Sequence, residues 1–97
     1  MIVSGVTSTG YEFEVDDKIK YQWPFVRAIA DADSDDASKK IAGSVKLVEL
    51  VVGKDENRLM EHIAKLNDGD IPTKAVNEEI TEILNAINSK KSEHSPE

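Results

Sequence analysis

The chain has 97 residues, with 19 acidic against 12 basic side chains and a net charge of −7. That length suits one small domain, and so acidic a surface repels phosphate backbones and anionic lipid, which argues against nucleic acid and membranes as partners. At 39% hydrophobic and 32% charged residues the chain is too apolar to be wholly disordered, and with no cysteine it has no disulfide framework, thiol chemistry or thiolate zinc site.

The opening Met1-Ile2-Val3-Ser4-Gly5 carries no basic cluster of the kind that begins a secretory signal. The densest apolar stretch, Val45 to Val52, is broken by Lys46 and Glu49 and is far shorter than the about 20 residues of a membrane span. A cytoplasmic protein is the expectation.

Residues 2–7 and 11–16 alternate in the manner of strands, with Tyr11, Phe13 and Val15 on one face and Glu12, Glu14 and Asp16 on the other. Ser8-Thr9-Gly10 supplies turn chemistry between them. A lone hairpin is marginal in water, so its apolar face is expected to pack on helices. Pro24 suits the first turn of a helix over 24–32, which places Phe25, Val26, Ile29 and Ala30 on one side. The acidic break Asp31–Asp36 reads as a linker and helix N-cap.

A second helix is predicted over 36–52. Its residues Ile41, Val45, Leu47, Val48, Leu50, Val51 and Val52 nearly encircle it toward the C-terminal end, so it is expected to be central and buried on several sides, with Gly53 as its cap. A third helix over 55–66 carries Leu59, Met60, Ile63 and Leu66, and Asn67-Asp68-Gly69-Asp70 stops it. The last helix, 73–88, has the cleanest amphipathic stripe: Val76, Ile80, Ile83, Leu84 and Ile87. Residues 89–97 contain nothing apolar and read as a flexible tail. The expected architecture is α+β and mostly helical, a single domain over 1–88 with an N-terminal β-hairpin packed on about four helices.

Candidate chemistry is sparse. Asp31, Asp33 and Asp35 match positions 1, 3 and 5 of a calcium loop, but Asp36 stands where glycine is needed and Ala42 where a bidentate glutamate is needed. An acidic loop favoured by the following helix dipole is therefore preferred over a weak cation site. His62 and His94 have no partner at metal-binding spacing, no nucleophile elbow or phosphate-binding glycine loop is present, and Glu78, Glu79 and Glu82 are placed on the solvated face of the last helix. No enzyme and no cofactor are expected. Trp23, beside Tyr21 and Phe25, is assigned to the thin core first and to a binding anchor second. Lys39-Lys40 and Lys90-Lys91 are too short for a nucleic-acid patch. The stripe of the last helix is expected to pack internally or against a partner helix, so Ile80, Ile83 and Ile87 join Trp23 as candidate partner contacts.

The segments follow one another in a telling order: Tyr11-Glu12-Phe13-Glu14-Val15; Trp23 with its aromatic neighbours; the break at Asp31–Asp36; an apolar helix closing on Leu50-Val51-Val52-Gly53-Lys54; Leu59–Leu66 followed by Asn67-Asp68-Gly69; and a final helix ending in Lys90-Lys91-Ser92. Over most of residues 11–92 this order resembles the small tail assembly chaperones of long-tailed phages and prophages of Gram-positive bacteria. The resemblance implies a protein that acts in the host cytoplasm, binds the tape-measure protein, recruits tail-tube subunits and is absent from the mature virion. It also implies a longer form made by a translational frameshift, for which Lys90-Lys91 marks the place. A thin core with many apolar segments adds an expectation of self-association. Two other readings stay open: a tail-completion or connector protein retained in the virion, and a small acidic regulatory or inhibitor module.

Overall fold

The structure, a computed structural model, describes the backbone of residues 1–93 and the side chains of residues 1–88. Strands β1 (Ile2–Val6) and β2 (Glu12–Asp16) form an antiparallel pair with Val3 opposite Val15 and Gly5 opposite Phe13. The period of two turns Val3, Phe13 and Val15 inward, where all three are buried, and leaves Glu12 and Glu14 in water. Each strand is one residue shorter than expected, because Thr7 and Tyr11 belong to the turn. The Gly10 amide donates to the Thr7 carbonyl at 2.9 Å, and Gly10 has a φ of 95°, which a residue with a Cβ adopts only under strain.

A short 3-10 helix, Asp17–Tyr21, follows without a sequence signal that anticipated it. The Asp16 carboxylate caps it by accepting from the Lys18 amide at 3.0 Å, a bond that holds the Asp16 carboxyl below its ordinary range.

Helices α1 (Trp23–Ala32) and α2 (Ala37–Val52) form a helical hairpin. Asp36 starts α2 by accepting from the amides of Ser38 (2.9 Å) and Lys39 (3.2 Å), and Gly53, at φ 53°, ends it by donating to the Glu49 carbonyl. α1 and α2 approach tightly at Gly43. A Cβ there would lie 2.3 Å from the Ala32 nitrogen and 2.7 Å from the Ala28 oxygen, so two backbones touch where only glycine fits.

A turn of 3-10 helix, Gly53–Asp55, leads into α3 (Glu56–Leu66), which buries Leu59 and Ile63 completely. Asn67 closes α3 by donating from its side-chain amide to the Ile63 carbonyl at 2.8 Å. α4 (Thr73–Glu93) carries Ile80, Ile83 and Ile87 into the same core. It runs five residues past the expected end at 88, into the stretch read as a tail. Residues 89–93 contain no glycine or proline, and extending an existing helix is far easier than nucleating one. The rest of the expected tail, 94–97, lies outside the described residues.

The architecture is thus α+β and mostly helical, with the two-stranded hairpin packed on helices. The core joins the inner face of the hairpin to the C-terminal half of α2, to α3 and to α4, with Phe25 and Ala28 contributed by α1. The expectation that α2 is enclosed holds for Leu47, Val48, Val51 and Val52 but not for Ile41 and Val45, which are 66% and 54% exposed. Among the described residues no helix is long and apolar enough to cross a membrane.

Candidate protein-docking surface

Two surfaces stand out, one polar and one apolar. The polar one fastens the tip of the hairpin to α3 and α4. The Glu82 carboxylate accepts from the Ser8 amide at 2.8 Å and from the Ser8 hydroxyl at 2.6 Å. These bonds, the hydroxyl's first, hold the Glu82 carboxyl below its usual range. The Thr9 hydroxyl donates to Glu79 Oε2 at 2.6 Å and lies 3.0 Å from His62 Nε2. Beneath them the Tyr11 ring is covered by the Arg58 guanidinium, 4.6 Å from its centroid, and flanked by the His62 ring at 5.6 Å. Burial pushes the Tyr11 phenol above its ordinary pKa.

Glu79 is a correction. The sequence puts it on the solvated face of α4, yet it is only 3% exposed, while Glu78 remains in water. Four residues separate Glu79 from Ile83, which puts them on one face of the helix, and Thr9 at the hairpin tip reaches Glu79. One oxygen, Glu79 Oε1, is buried without a hydrogen-bond partner. A hydroxyl between an imidazole and a carboxylate invites comparison with an activated nucleophile. Here the Thr9 hydroxyl meets both Glu79 of α4 and His62 of α3, so the three side chains tie the hairpin tip to two helices. The cluster is a clamp. Its partners lie 53 to 74 residues apart in sequence, beyond the reach of any local pattern.

The apolar surface has two parts. On α1, Phe25, Ala28 and Ala32 face α2, and at about 100° per residue Trp23 falls on the opposite side. Trp23 is 70% exposed, with Val26 and Ile29 also turned to solvent. This overturns the assignment of Trp23 to the core. The α1–α2 contact runs through alanines against Gly43, and backbones that close leave no room for an indole between them.

The second part is a groove of about 430 Å³ on the other side of α2. Ile41, Val45 and Val48 form one wall, Met60 of α3 and Val76 of α4 the other, with Ile71 of the α3–α4 loop between. Its rim carries Lys40 and Glu56. Ile41 and Val45 each lie two residues, about 200° of helix, from Gly43, so α1 and the groove occupy opposite sides of α2.

The remaining sequence candidates fall elsewhere. Ile80, Ile83 and Ile87 are buried in the core and closed to a partner in this conformation. Asp31 sits in the last turn of α1, 4.0 Å from Arg27, and Asp33 caps that helix. With Asp35 they form no group of three that could hold a metal ion among the described residues. The chain matches no protein-family model, no curated protein and no solved structure.

Proposed function

We propose that this chain is an assembly chaperone that works by protein–protein contact, shielding apolar helical surface on a client. The observation that carries the reading is the apolar groove between α2, α3 and α4, with Ile41, Val45 and Ile71 about half exposed or more on a chain of net charge −7. An amphipathic helix lays its apolar face into such a groove, while the acidic surface keeps the complex soluble. The resemblance of segment order supplies the client: the tape-measure protein of a long-tailed phage, to which the chaperone also brings tail-tube subunits in the host cytoplasm, leaving before the virion is complete.

The test is co-expression with the tape-measure protein of a long-tailed phage. Soluble client is expected with the wild-type chain and insoluble client with Ile41→Glu/Val45→Glu, whose side chains lie at the groove and not in the core. Equal rescue by both proteins, or the chain found stoichiometrically in purified virions, overturns the reading.

A further inference from the structure

The two edges of the hairpin are finished differently. The Thr7 amide donates to the Tyr11 carbonyl and the Asp17 amide to the Met1 carbonyl, each at 2.9 Å, so in the observed register the odd-numbered residues bond across the pair. In an antiparallel ladder the residues between them turn their amides and carbonyls away from the partner strand. On β2 these are Glu12, Glu14 and Asp16. That edge is guarded by three acidic side chains, and Arg58 donates to the Glu12 carbonyl at 2.8 Å. On β1 they are Ile2, Ser4 and Val6, with no charge and no proline, and all three side chains are exposed. Among the described residues nothing hydrogen-bonds to their outward backbone groups. Sheets ordinarily blunt such an edge with charge, proline or a bulge, because an open row of amides and carbonyls pairs with extended chain. Beside this edge lies a groove of about 340 Å³, with Ser4, Gly5 and Val6 on one side and Glu82, Asn85 and Ala86 of α4 on the other.

We propose that the β1 edge takes an extended segment of another protein as a third, antiparallel strand, laid between β1 and α4. The exposed face of the sheet sets the side chains of that segment. Val6, Ser4 and Ile2 stand opposite Glu12, Glu14 and Asp16, and a third strand adds one residue to each row. Aliphatic residues in the outer rows pair with Val6 and Ile2, which are 62% and 55% exposed. In the middle row Ser4 is short, and Glu14 lies two strand spacings away, about 10 Å. Glu14 is exposed and has no ion pair among the described residues. A lysine or arginine opposite Ser4 reaches across it to that carboxylate. The partner is thus a strand of the pattern aliphatic-x-basic-x-aliphatic, whose approach a net charge of −7 favours. Its intervening side chains enter the groove beside Asn85 and Ala86. The site is separate from the groove between α2, α3 and α4 and does not depend on the chaperone reading.

Titration of the isotope-labelled full chain with the peptide acetyl-Thr-Val-Thr-Lys-Thr-Val-Thr-amide, followed by NMR, tests the proposal. Amide shifts are expected at residues 2–6 and 82–86, and solvent exchange of the Ile2, Ser4 and Val6 amides should slow as the ladder forms. Methylating the lysine amide of the peptide removes one ladder bond and is expected to weaken binding about tenfold. Glutamate in place of that lysine should weaken it too, and the gap should close in high salt. Ser4→Pro removes an outward N–H without touching the hairpin's own ladder; circular dichroism checks that it is folded, and it should bind no peptide. Should it fail to fold, the methylated peptide carries the same test. Ile41→Glu/Val45→Glu should bind the peptide as the wild type does. No shift at residues 2–6 up to millimolar peptide, equal binding of the methylated peptide, or shifts centred on Ile41 and Val45 would each overturn the proposal. So would Ile2, Ser4 and Val6 amides that become protected with rising protein concentration alone, because the edge would then belong to a second copy.

Discussion

The hairpin, α3 and α4 form a body built differently from the arm made by α1 and the first half of α2. In the body, Leu59, Ile63, Ile83 and Ile87 are almost without exposed surface, and polar clamps at Ser8 and Thr9 lock the hairpin tip down. In the arm, contact between helices rests on Ala28, Ala32 and Gly43, while Trp23, Ile41 and Val45 face water. The hydrophobic effect is therefore largely spent in the body and largely unspent in the arm. Stability resides in the first region, and uncovered apolar surface in the second.

The strongest attempt to break this contrast truncates equivalent aliphatic side chains in the two regions. Leu59→Ala, at a position with no exposed surface, is expected to destabilise the fold by about 2–5 kcal/mol. Ile41→Ala, at 66% exposure, should stay within about 0.5 kcal/mol of wild type. Urea denaturation reads both, and similar shifts in midpoint would erase the distinction.

Gly43→Ala sharpens it by loading the arm from within. The new methyl meets backbone atoms of α1, not the end of a flexible side chain, so relief requires the helices to move apart. An overpacking cost of about 1–3 kcal/mol is expected. Amide hydrogen exchange should accelerate in residues 23–32 and remain slow in 56–66 and 73–88. Uniform acceleration would mean that arm and body unfold as one unit.

A smaller effect concerns the clamp. The Glu82 carboxyl is held low in the folded state, so between its folded and unfolded pKa values the unfolded chain binds more protons, and stability rises with pH. The contribution is complete above the ordinary glutamate range and is lost as pH falls through the lowered value. Glu82→Gln and Ser8→Ala should each be less stable than wild type at pH 7, and the difference should shrink below pH 4. A gap that widens in acid would show that Glu82 plays another part.

The hairpin register, the caps at Asp36 and Gly53 and the core stripe of α4 were legible because each is written in local spacing or in one residue's backbone preference. Trp23 and Glu79 were misplaced for the same reason. Helical periodicity tells which residues share a face but not which face a neighbouring helix covers. For α1 the decisive residue is Gly43, in another helix, which turns the alanine side inward. For Glu79 it is the turn at Thr9, seventy residues away. The groove was illegible because its walls come from three elements whose meeting is a property of tertiary packing.

The smallest expected change in stability comes from the residue that most clearly separates the two regions. Trp23 is the chain's single tryptophan, so its fluorescence reports on the arm alone. At 70% exposure it should emit near the wavelength of indole in water and be quenched readily by acrylamide, a neutral probe chosen because a chain of charge −7 repels iodide. Trp23→Ser should leave the urea midpoint within about 0.5 kcal/mol of wild type. A tryptophan buried in a core behaves in the opposite way on every count, with blue-shifted emission, slow quenching and a loss of about 3–5 kcal/mol on truncation. If Trp23 anchors a contact, acrylamide quenching falls as that contact forms, and the drop measures occupancy of the outer face of α1 while the body's hydrogen-exchange protection stays unchanged.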